Sequence, residues 1–107
     1  MPKAIITECR DLDEVRANIN RVDRDLVALL AERGAYVRQA ARFKVTADDV
    51  RAPARVEAVV GRVRELAGEL GASPEVVEQV YRTMIACFIE DEMAEHARMP
   101  RDSSTAP

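Results

Sequence analysis

The chain has 107 residues, of which 48% are apolar, 33% charged and only 4% aromatic, with four glycines and no tryptophan. That length holds one domain, and the composition fits a helical protein better than a sandwich or barrel. Sixteen basic against nineteen acidic residues give a formal charge of −3, so no bulk positive field exists to hold a polyanion, and nucleic acid is not an expected partner.

The opening residues, Met1 to Glu8, contain an apolar run far too short for a signal peptide, and no stretch approaches the ~18 apolar residues of a membrane span. Cys9 and Cys87 stand far apart with no second thiol near either, which excludes a zinc knuckle or a CxxC pair. A cytoplasmic protein with two ordinary reduced thiols is the expectation. Residues 1–10 read as an N-terminal extension, 11–98 as the helical domain, and 99–107, rich in Ser, Thr, Ala and Pro, as a disordered tail.

Asp11 has the chemistry of a helix cap, and Glu14 three positions later completes a capping-box spacing. Apolar residues then recur from Leu12 through Ile19, Leu26 and Leu30 to Ala40 in steps of three and four, with no proline before Pro53. This predicts one long helix from about 11 to about 44. The stretch Val45 to Ala52 loses the period and reads as a loop. Pro53 suits the first turn of a second helix, carried by Val56, Val59, Val60, Val63, Leu66 and Leu70 and ended by Gly71. Ser73-Pro74 starts a third, running through Val77, Tyr81, Met84, Ile85 and Phe88 to about Arg98.

The fold class is therefore all-α, with one long helix and two shorter ones. A 34-residue helix is about 51 Å long, whereas a compact globule of this size is roughly 34 Å across. The first helix cannot be covered by its own partners, so its apolar stripe predicts an intertwined two-fold homodimer.

Most arginines, among them Arg21, Arg24, Arg38, Arg62 and Arg64, alternate with acids and read as solvated faces. Arg33 departs from this. It follows Leu26 by seven residues and Ile19 by fourteen, so the heptad that buries those two turns it inward. A buried guanidinium needs an anion, which is either internal, Asp23 or Glu32, or a ligand. Lys44 lies eleven positions on, three turns plus 20°, and about 16.5 Å along the same face. It reads either as a partner of the helix dipole or as the far end of a metabolite-sized gap. Arg16, about 25 Å from Arg33, cannot share a small ligand with Lys44 of its own chain, but in an antiparallel dimer it reaches the partner's site.

Glu92 continues the stripe of the third helix where an apolar residue is due. Burial would favour its protonated, hydrogen-bond-donating form, and neighbouring arginines the opposite; a plain salt bridge to Arg33 is the competing account. His96, the sole histidine, falls near the end of that helix and reads as a surface residue. No Gly-rich phosphate loop, catalytic triad or metal-ligand cluster can be written down. Arginines, one lysine and one carboxyl without a nucleophile suit a cofactor-free reaction in which a dianion is gripped and a developing charge is stabilised.

These residues resemble the all-helical chorismate mutase family. The pattern is Arg16-x-x-Ile19-x-x-x-Asp23-x-x-Leu26-Val27-x-Leu29-Leu30-x-x-Arg33, then Tyr36-Val37 and Arg42-Phe43-Lys44, over about residues 11 to 98. Within the family the chain looks most like the isochorismate pyruvate lyases, through Arg42-Phe43-Lys44 and Ala52-Pro53-Ala54-Arg55-Val56. The resemblance implies that Arg16 of the partner subunit and Arg33 hold the two carboxylates of chorismate or isochorismate. It further implies that Lys44 contacts the ether oxygen, that Arg55 is an active-site arginine, and that Glu92 stands where many members have a glutamine donating to that oxygen. Val56 replaces a glutamate common in bacterial chorismate mutases, as in the lyases. Lyase activity, with weaker chorismate mutase activity, is the implied function; a true chorismate mutase, a 4-amino-4-deoxychorismate mutase and a non-catalytic dimerisation module are the alternatives. Residues 45–52 are a candidate lid.

Overall fold

A computed structural model of the protein describes residues 6–98. The tail from 99 and the first five residues of the extension lie outside them. The order is α1 (Leu12–Ala41), α2 (Ala47–Arg51), α3 (Pro53–Leu70) and α4 (Pro74–Arg98), with no strand among the described residues.

α1 starts as its sequence predicts: the Asp11 carboxylate accepts from the Glu14 N–H at 2.8 Å. The reciprocal half of the box is displaced, because Glu14 turns its own carboxylate to the backbone N–H and guanidinium of Arg10. The helix ends at Ala41, three residues short of the expected end. Phe43 and Lys44 donate to Ala40 and Ala41 in a tightened turn, and the chain is then claimed by a second cap.

The stretch expected to be a loop contains the one-turn α2. The Thr46 hydroxyl accepts from the Asp49 N–H while the Asp49 carboxylate accepts from the Thr46 and Val45 N–H groups, a complete capping box. Those N–H groups, Thr46 first, hold the Asp49 carboxyl below the usual carboxylate range. Five residues are too few to show a hydrophobic period, which is why the sequence hid this element.

Ala52 closes α2 and opens α3 in a left-handed conformation, φ 34°, and Pro53 occupies the first turn of α3. Gly71 ends α3 at φ 84°, and the Ser73 hydroxyl accepts from the Val76 N–H to begin α4. The short connection makes α3 and α4 an antiparallel pair, latched by Arg82 to Glu57 and Arg64 to Glu78. Val59, Val63 and Ile85 form the core between them, with Val56, Val77, Tyr81 and Ile89 packed around it.

α4 is the element on which α1, α2 and α3 all pack, and α1 uses only its C-terminal part for this. Gly34 and Ala41 are its only buried residues; the Phe88 ring packs on Gly34, where a Cβ would stand 3.0 Å from it. The rest of its apolar stripe is bare: Ile19 is 51% exposed and Leu26 52%. The molecule is accordingly elongated, 69 × 25 × 21 Å with a radius of gyration of 18.2 Å, against about 13 Å for a compact chain of this length.

Candidate active site

Where the C-terminal third of α1, α2, the start of α3 and the end of α4 converge, they frame a half-open cavity of about 340 Å³, at the small end of the usual range for ligand pockets. Five cations line it, Arg33, Lys44, Arg51, Arg55 and Arg62, and Glu92 is the only acid that does. Val37, Val56 and Ile89 supply part of its apolar wall.

Arg33 is turned toward α4, as its heptad position predicts, but it is half-buried and meets no carboxylate. Neither Asp23 nor Glu32 pairs with it. Its guanidinium lies 5.5 Å from the Phe88 ring centre and 5.7 Å from that of Tyr81, where the negative faces of the rings compensate its charge in part. The planar fork is held while its N–H donors stay available.

Glu92 is 3% exposed, in keeping with its place in the apolar stripe. Its partner, however, is not Arg33. Lys44 Nζ donates to Glu92 Oε2 at 2.6 Å, a charge-assisted bond. The expected gap between Arg33 and Lys44 along one helix face does not arise in that form, since Lys44 has left the helix; both residues nevertheless line the cavity.

Arg55 lies on the first turn of α3 and is exposed at the cavity edge. Among the described residues, Arg33, Arg55 and Arg62 have no salt-bridge partner, whereas Arg51 is paired with Asp48 at 3.5 Å. Arg16 is exposed on the far half of α1 and does not line the cavity.

Three lining or supporting residues were not singled out from the sequence. Arg62, read as a solvated face, follows Arg55 by seven residues, two turns on the same face. Arg51 was hidden in the supposed loop. His96, read as a surface residue, is half-buried with Nε2 3.0 Å from the Lys44 carbonyl oxygen; its spacing of four from Glu92 was the available signal. Of the other arginines read as solvated faces, Arg38 is exposed and paired with Asp91, whereas Arg64 is half-buried and paired with Glu75 and Glu78.

Among the described residues no helix is long and apolar enough to cross a membrane, and no cluster of acids, Cys and His has metal-binding geometry. Cys9 and Cys87 are free thiols.

Comparison with known proteins supplies the affiliation. The family model for chorismate mutase type II matches residues 15–93. Isochorismate pyruvate lyase of Pseudomonas aeruginosa is 33% identical over 86 residues, covering 80% of this chain and 85% of that protein. The matched span includes every cation of the cavity together with Glu92, and the chain belongs to the chorismate mutase type II family.

Proposed function

We propose that the protein is a homodimeric isochorismate pyruvate lyase that works without a cofactor, with residues 11–98 as the functional unit. The observation that carries the reading is the cavity itself: three guanidinium groups without carboxylate partners line it together with a half-buried Lys44 paired to a buried Glu92. The site is charged for a small dianion and offers no nucleophile.

Isochorismate carries two carboxylates and an enolpyruvyl ether. In the lyase reaction the ring carbon–oxygen bond breaks while a hydrogen passes from the ring to the enolpyruvyl methylene carbon. That carbon becomes the methyl group of pyruvate, and the ring becomes the aromatic ring of salicylate. Catalysis requires a folded substrate and stabilisation of the charge that grows on the ether oxygen. Arg33 and Arg16 of the partner subunit hold the carboxylates, Arg55 adds a third guanidinium, and Lys44 serves the ether oxygen. Glu92 supports that oxygen as a donor when protonated, and steers Lys44 when ionised. α2 and its flanking turns cover the site as a lid.

The bare stripe of α1 supports the dimer. Arg16 is too far along the helix, about 25 Å from Arg33, to serve its own chain's cavity, so a partner helix must bring it. Val56 gives an apolar wall where a ring hydroxyl would need a polar partner, which favours the lyase over rearrangement of chorismate. A dianion does not cross a bilayer unaided, so the enzyme shares a compartment with the source of its substrate, which we take to be the cytoplasm.

Incubation with isochorismate and with chorismate, each followed separately, tests the reading. Salicylate fluorescence from isochorismate and at most slow prephenate formation are expected. Prephenate as the dominant product would make the protein a chorismate mutase, and turnover of neither would leave a non-catalytic module.

A further inference from the structure

Lys44 lies beyond the last residue of α1, where no helical ladder fixes the backbone. Its own N–H bonds weakly to Ala41 at 3.3 Å; the N–H groups of Phe43 and Val45 are bonded to Ala40 and to the Asp49 carboxylate, but their side chains are exposed, 85% and 82%, and pack nothing beneath Lys44. A lysine side chain has four rotatable bonds. Unless its main chain is held, its ammonium has no defined place in the cavity.

Two α4 side chains one turn apart hold it. Glu92 accepts from the ammonium at 2.6 Å, and His96 Nε2 stands 3.0 Å from the carbonyl oxygen of the same residue. Spacing of four puts both on one face of α4. A carbonyl oxygen only accepts, so Nε2 must carry the proton.

We infer that His96 is a positioning residue that ties the main chain of Lys44 to α4. Resting on the proposed function only for the role of Lys44, the inference concerns a residue outside the matched span of 15–93. When substrate takes the ammonium away from Glu92, the bond from His96 is the contact to α4 that remains. Displacement of a reacting group by about 1 Å costs on the order of a hundredfold in rate, and this bond prevents such drift.

The test compares His96→Ala, His96→Asn and His96→Gln. The glutamine amide nitrogen lies as many bonds from Cα as imidazole Nε2, and the asparagine nitrogen one bond fewer. His96→Ala and His96→Asn should lower kcat for salicylate formation about tenfold to a hundredfold, with KM within about threefold because the pocket guanidiniums are untouched. His96→Gln should recover kcat to within about threefold of wild type. Wild-type kcat in His96→Ala, or glutamine no better than asparagine, would overturn the inference.

Because His96 is the sole histidine, its imidazole ¹⁵N resonances in the unmodified protein report the tautomer directly, whether or not the alanine variant folds. A proton on Nε2 is expected, and a ring protonated at Nδ1 alone would overturn the tether. If wild type turned over neither isochorismate nor chorismate, the functional proposal would fall, and the tautomer would still decide the role of His96.

Discussion

Replacing Arg33 by alanine separates a structural from a catalytic role for this side chain. In the folded chain its guanidinium rests against two aromatic rings, at 5.5 and 5.7 Å, and meets no acid. Each such contact contributes about 0.5–1 kcal/mol, so Arg33→Ala should cost the fold only about 1–2 kcal/mol, or roughly 5–15 °C in Tm. The loss of activity should be much larger. If Arg33 grips a substrate carboxylate as the transition state forms, its removal takes away about 3–4 kcal/mol, a fall of about 10²–10³ in kcat/KM. The assay is salicylate formation at a temperature where thermal melting shows the variant fully folded. Arg33→Lys keeps the charge but loses the fork and the stacked plane, and should fall between the two. A variant that melts lower yet retains kcat/KM within tenfold of wild type would refute the reasoning and reduce Arg33 to a prop for Phe88 and Tyr81.

Three other outcomes are expected. Gly34→Ala sets a Cβ 3.0 Å from Phe88. The helix gains about 1 kcal/mol in propensity and loses a similar amount to crowding, so Tm should barely move while kcat/KM falls about tenfold as the ring under Arg33 shifts; unchanged kinetics would contradict this. Ala52 holds φ 34°, which glycine adopts without a Cβ clash, so Ala52→Gly should raise stability in chemical denaturation by about 1 kcal/mol, and a loss would contradict the account. Arg82 lies between Glu57 and Glu78 and holds both carboxyls below their usual value near 4.5. The stabilisation is therefore complete above that value and lost as pH falls through the depressed range, modestly because the contacts are exposed. Melting followed across pH should show a decline below about pH 4.5 that Arg82→Gln makes shallower; an identical slope in the variant would exclude this cluster as its source.

Long-period features were legible in the sequence. The stripe from Leu12 to Leu30 announced a helix that its own chain leaves bare, and the heptad through Ile19 and Leu26 turned Arg33 to the correct side. Glu92 was identified by standing where an apolar residue was due. Short-range features were not legible. Nothing in a hydrophobic pattern shows that Thr46 and Asp49 cap each other and cut α1 short, and from that one misplaced boundary followed the loss of Arg51 and the wrong path for Lys44. The choice of partner for Glu92 is a tertiary fact: with Lys44 off the helix, it, and not Arg33, reaches the carboxylate. Arg62 and His96 carried usable spacings, seven from Arg55 and four from Glu92, but alternation with acids and position near a helix end concealed them.

Subunit complementation tests the composite site most directly. Arg16→Ala and Lys44→Ala are each expected to be nearly inactive as homodimers, because every site then lacks one cation. Unfolded together and refolded as an equal mixture, half of the dimers should be heterodimers, each with one site that takes Lys44 from one chain and Arg16 from the other. Recovery of about a quarter of wild-type activity is the predicted result. A mixture no more active than its two components, or an Arg16→Ala homodimer with full activity, would contradict the account.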